Sequence, residues 1–168
     1  MTETSGSEPV FELEDSMQTR PKAFRKILVP LDFSPASELV VQRSADLAHR
    51  YGAAVTLAHV HEASMYALPG GYVFLSTLRM DDLFLEYRRC LDAQKQVAEM
   101  AGAERVDTHV LAGFPASELC DLALNEDYDL IVMGTHGRTG LKRALLGSVA
   151  ERVVRMAPCP VLTVGAKA

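Results

Sequence analysis

Short runs of strand-forming residues alternate along the chain with longer stretches in which apolar positions recur every three or four residues. Five runs predict strands: Ile27 to Leu31, Ala54 to Val60, Val106 to Leu111, Leu130 to Met133 and Val161 to Val164. Between them, Val40, Leu47, Ala48 and Tyr51 share one helical face, with Ser34 as the expected cap, Pro35 at the first helical position and Gly52 as the stop. Met80 to Met100 carries Leu83, Tyr87, Leu91, Val97 and Ala98 among charges, the pattern of an amphipathic helix. Pro115 opens a third helix with Leu119, Leu122 and Ala123 inward, and a last helix runs from Ser148 to about Met156. The stretch 62–78, with Pro69, Gly70, Gly71 and scattered aromatics, reads as a loop or lid with a helical turn.

Strands that alternate with helices five times predict an α/β domain: a single doubly wound, five-stranded parallel sheet with helices on both faces. A strand order of 3-2-1-4-5 puts the topological switch point between the first and fourth strands, and ligands in such sheets bind beyond the carboxyl ends there. Asp32 and Gly134 end those two strands, so topology alone nominates one pocket.

Composition changes the picture mainly at the amino terminus. Residues 1–24 hold Glu3, Glu8, Glu12, Glu14 and Asp15 with few apolar side chains, and read as an acidic flexible tail ahead of one domain spanning 25–168. These five acids match the net charge of −5, so the remaining 17 acidic and 17 basic residues balance. There is no basic footprint for nucleic acid or an anionic membrane, and no apolar run long enough to span a bilayer. With no secretory layout at the start, the cytoplasm is the expected location. Cys90, Cys120 and Cys159 are widely spaced and read as buried thiols, since neither a disulfide framework nor a zinc pattern is present. His59 and His61 share a strand face, but without an accompanying carboxylate or Cys cluster a structural role outweighs a metal site.

The candidate chemistry lies between Asp129 and Val149. Gly134 and Gly137 are followed after nine residues by Gly147 and Ser148, where a helix begins and free N–H groups with the positive helix end face the loop. Such a place suits a phosphate. It also suits plain turn chemistry, with Ser148 and Glu151 as a capping box, and spacing alone leaves both readings open. The dinucleotide fingerprint is not met, since the turn after the first strand is D-F-S-P, and no G-K-[ST] of a P-loop follows the glycines. His136 is the one candidate base in this loop, with no orienting carboxylate near it in sequence, so no catalytic residue is assigned. Arg138, Lys142 and Arg143 are candidates for phosphate charge or for an exposed flap, with Arg138 favoured because it follows Gly137.

The spacing Gly134-x-x-Gly137, nine residues, Gly147-Ser148 resembles the signature of the ATP-binding branch of the universal stress protein family. The resemblance extends through K-I-L-V-P-L-D-F-S from Lys26, L-A-H-V from Leu57 and A-P-C-P-V-L-T-V from Ala157, and covers residues 25–165. It implies a Rossmann-like fold of the adenine nucleotide alpha hydrolase type, with ATP (or ADP or AMP) as ligand and Mg²⁺ travelling with the phosphates. By that resemblance Pro30, Leu31, Asp32 and the main chain of Val60 hold adenine and ribose. Met133, Gly134, Gly137, Gly147, Ser148 and Val149 surround ribose and phosphates, and Arg138 joins them as the favoured phosphate contact from its place after Gly137. It further implies a homodimer through the strand 161–164. A nucleotide-dependent regulatory or stress-response module, acting on an unidentified protein partner, is the expected function; a slow ATPase or phosphate-transfer enzyme using the same pocket is the alternative.

Overall fold

The computed structural model describes residues 24–62, 65–68, 71–74, 80–135 and 146–165. Its elements, in order, are β1 (Lys26–Pro30), α1 (Ser37–Tyr51), β2 (Ala54–Glu62), β3 (Met65–Leu68), β4 (Gly71–Phe74), α2 (Met80–Met100), β5 (Val106–Gly113), α3 (Pro115–Asn125), β6 (Leu130–Gly134), α4 (Ser148–Met156) and β7 (Val161–Val164). The main sheet has five strands in the order β5-β2-β1-β6-β7, every pair parallel. Leaving out the β3–β4 pair, this is the expected order 3-2-1-4-5.

Period-two alternation on the inner strands builds two cores, one on each face of the sheet. Ile27 and Val29 of β1, Val55 and Leu57 of β2, and Leu130 and Val132 of β6 join the core beneath α1 and α2. Leu28, Ala58, Ile131 and Met133 point the other way, into the core with α3 and α4. Burial on both faces explains why β1 and β6 read as continuous apolar runs.

The amino ends of the strands are pinned. Asp129 accepts from the main-chain N–H groups of Arg25 (2.8 Å) and Lys26 (3.1 Å), and the Tyr128 hydroxyl donates to Thr56 Oγ1 at 2.8 Å. Burial is the main reason the Tyr128 phenol is pushed up to about 12.

Three expectations are corrected. Residues 65–68 and 71–74 pair as an antiparallel two-stranded sheet, with Met65 opposite Phe74 and Leu68 opposite Gly71, where a loop with a helical turn was expected. The first helix begins at Ser37, with Ala36 at its cap position and Pro35 in a preceding turn that Ser37 N–H closes on the Ser34 carbonyl at 2.9 Å. Of the three thiols, only Cys120 is buried; Cys90 and Cys159 are half-buried. The acidic tail expected over residues 1–24 lies almost wholly outside the described residues.

Candidate functional site at the sheet switch point

β1 leads into α1 through a constrained turn. Leu31 continues the ladder by donating its N–H to the Ala58 carbonyl at 2.8 Å, and Phe33 then takes a left-handed φ of 59°. A bulky residue rarely adopts that conformation unless its surroundings impose it. They do: Asp32 Oδ1 accepts from the Ser34 N–H and from the Ser37 hydroxyl at 3.1 Å, and His59 Nδ1 lies 2.7 Å from the Leu31 carbonyl oxygen. Asp32 thus folds the turn, and a carboxylate with about four lone-pair sites can accept from a ligand as well.

The fourth strand of the main sheet, β6, ends at Gly134. Thr135 N–H reaches the Val164 carbonyl of β7 at 3.0 Å, and Gly147 N–H returns to the Thr135 carbonyl at 2.7 Å, bringing the start of α4 back beside β6. Gly147 is the N-cap of α4, with φ −70° and ψ 159°, and no side chain caps the helix. The Ser148–Glu151 capping box is therefore not formed: Ser148 is already the first helical residue, one position too far along for its hydroxyl to cap. Gly147 has no positive φ, so its backbone does not itself demand glycine. The first helical bond runs from Glu151 N–H to the Gly147 carbonyl at 2.9 Å, so the N–H groups of Ser148, Val149 and Ala150 precede it and face outward from the helix end.

These two turns enclose a cavity of about 500 Å³, within the range of small-ligand sites. All nine described residues expected at the site line it: Pro30, Leu31, Asp32, Val60, Met133, Gly134, Gly147, Ser148 and Val149. Gly137, Arg138, His136, Lys142 and Arg143 lie outside the described residues. Helix starts from three elements reach the cavity, at Ser37 of α1, Pro115 of α3 and Ser148 of α4, so three positive dipole ends converge on it.

The sequence reading missed one wall. His59, His61 and Tyr87 line the cavity opposite the α4 start, with the His59 and Tyr87 rings 4.4 Å apart and His61 Nδ1 3.1 Å from the Tyr87 hydroxyl. Tyr87 was legible only as an apolar position of α2, and the two histidines only as neighbours on a strand. Both histidines make structural hydrogen bonds, and among the described residues no cluster of three or more His, Cys, Asp or Glu is placed to hold a metal ion.

The fold and site define a doubly wound α/β domain with a ligand-sized, donor-rich cavity at its switch point. The model of the Universal stress protein family matches residues 23–165. The chain is 39% identical over 144 residues to universal stress protein MJ0531 of Methanocaldococcus jannaschii, covering 84% of this chain and 82% of that one. Among solved structures, universal stress protein UspA from Lactobacillus plantarum superposes with a TM-score of 0.71 at 29% identity, over 84% of this chain and 97% of its own. Two further solved structures are described as complexes: a universal stress protein with cAMP (26% identity, TM-score 0.64, 85% and 98% covered) and the Archaeoglobus fulgidus protein with dAMP (26%, 0.63, 84% and 98%). The chain belongs to the universal stress protein family.

Proposed function

We propose that this chain is an ATP-binding universal stress protein, acting in the cytoplasm as a nucleotide-dependent regulatory module with a protein partner. The carrying observation is the single cavity that collects Asp32, Gly134 and the start of α4 at the switch point. Two relatives of the same fold, solved with cAMP and dAMP, support adenine as the base. In this reading Asp32 accepts from ribose hydroxyls, Pro30 and the Val60 main chain flank adenine, and the N–H groups at the start of α4 meet the phosphates. Gly137 and Arg138 would complete the phosphate contacts. Mg²⁺ would be held by phosphates and water, which is how this ion commonly binds and which asks for no carboxylate cage from the protein. Denaturing freshly purified protein and identifying the released ligand by mass should yield an adenine nucleotide; an empty protein that also fails to take up ATP in calorimetry would refute the reading.

The same reading includes a homodimer. β7 is the last strand of the sheet order, and Leu162 on it is 41% exposed, so an open ladder edge with an apolar side chain is available for pairing across a two-fold axis. Thr163→Pro removes an N–H from that edge. Light scattering at micromolar concentration should show a dimer for the parent chain and a monomer for the variant; a parent monomer, or an unaffected variant dimer, excludes this interface.

A further inference from the structure

His59 touches the turn on both sides of Asp32, and we infer that it is the positioning residue that holds this carboxylate in its ligand-ready orientation. The inference rests on the nucleotide reading of the cavity for its consequence but not for its geometry. His59 is buried, 8% exposed. Its Nδ1 lies 2.7 Å from the Leu31 carbonyl oxygen, and because a carbonyl can only accept, Nδ1 carries the proton and donates. Its ring packs with those of Phe33 (4.5 Å, tilted by 34°) and Tyr87 (4.4 Å), which themselves lie 6.1 Å apart in one three-ring cluster.

Leu31 and Phe33 are the two chain neighbours of Asp32. One is held through its carbonyl by the His59 N–H; the other packs its ring on His59 and also on Tyr87, and Phe33 is the residue in the left-handed conformation. A backbone in a sparsely populated region persists only where its surroundings over-determine it. Without the His59 N–H, the Leu31 peptide is free to rotate. Asp32 then loses its fixed relation to the Ser34 N–H, the Ser37 hydroxyl and the cavity.

The choice of donor follows from position. His59 stands on β2 beside β1, where Pro30 pairs with Ala58, so its ring can reach across the end of the neighbouring strand to a carbonyl just past the ladder. A lysine or arginine there would bring an uncompensated charge into a buried ring cluster, whereas a neutral imidazole supplies one directed N–H and an apolar face.

Two substitutions separate the bond from the ring. His59→Phe keeps a ring packed against Phe33 and Tyr87 and removes the donor; His59→Asn keeps an N–H near the Nδ1 position and removes the ring, leaving Phe33 on Tyr87. In the ligand-free full chain, His59→Phe should speed amide exchange at Ser34, whose N–H reports the Asp32 turn, and leave Ile131 in the core at the wild-type rate. His59→Asn should keep Ser34 near the wild-type rate, and it carries the exchange test alone if His59→Phe does not fold. For binding, His59→Phe should weaken ATP about tenfold, leave 2′,3′-dideoxy-ATP unchanged, and add nothing in an Asp32→Ala background. Unchanged Ser34 exchange in His59→Phe, accelerated Ser34 exchange in His59→Asn, an equal loss for both nucleotides, or full additivity with Asp32→Ala each overturn the assignment. If the wild type itself binds ATP and the dideoxy analogue equally, the ribose role of Asp32 in the functional reading fails, and the Ser34 exchange decides on His59 independently.

Discussion

Gly147→Val should fold and melt like the parent chain and lose measurable ATP binding. The backbone at Gly147, φ −70° and ψ 159°, is ordinary extended geometry that valine adopts readily. Both main-chain bonds of the residue, N–H to Thr135 and carbonyl from Glu151, survive the substitution. With no strain and no lost hydrogen bond, the stability change should stay within about 1 kcal/mol. The cavity is another matter: Gly147 lines it beside Ser148 and Val149, and an isopropyl group there occupies the approach to the first N–H groups of α4. Those are the donors that the functional reading assigns to phosphate. Calorimetry returning wild-type affinity in a normally melting Gly147→Val protein would remove the phosphates from this end of the cavity.

The main sheet was legible because burial on both faces writes itself into composition. Leu28 and Ile131 serve one core while Val29 and Val132 serve the other, so no polar position interrupts β1 or β6. Right-handed crossovers then leave few strand orders to choose from, and the switch point follows without any knowledge of ligand. That is why Asp32 and Gly134, about a hundred residues apart in the chain, were nominated together.

What stayed hidden depends on contacts that sequence spacing does not encode. The strands Met65–Leu68 and Gly71–Phe74 are four residues each, too short for a period-two pattern to stand out, and Pro69 and Gly70 between them looked like generic loop residues. Proline at position 35 makes a helix start there attractive, yet the helix begins at Ser37, after a separate turn that Ser37 N–H closes on the Ser34 carbonyl. Ser148 was read as a cap from its residue type, but the return of Gly147 N–H to Thr135 fixes glycine at the cap position. The bond from His59 to the Leu31 carbonyl joins residues 28 apart through the pairing of β1 with β2, and only the folded sheet brings them together.

ATP turnover by this chain should lie far below the roughly 1 to 1,000 per second typical of enzymes. A hydrolase needs a base within hydrogen-bond reach of the attacking water. Of the described titratable groups lining the cavity, Asp32 is bound to Ser34 and Ser37, His59 lies against the Leu31 carbonyl and His61 against the Tyr87 hydroxyl, while Glu62 stands exposed at the end of β2. In the functional reading the start of α4 meets phosphate oxygens, and contacts made equally in ground state and transition state favour occupancy over rate. If occupancy is the output, limited proteolysis of the full chain should give different cleavage patterns with ATP, with ADP and without nucleotide, while phosphate release under multiple turnover stays at the slow limit. Identical patterns in all three states together with phosphate release at ordinary enzymatic rates would replace the regulatory reading with the ATPase one, and would direct the search for the base to His136, the histidine of the loop between β6 and α4.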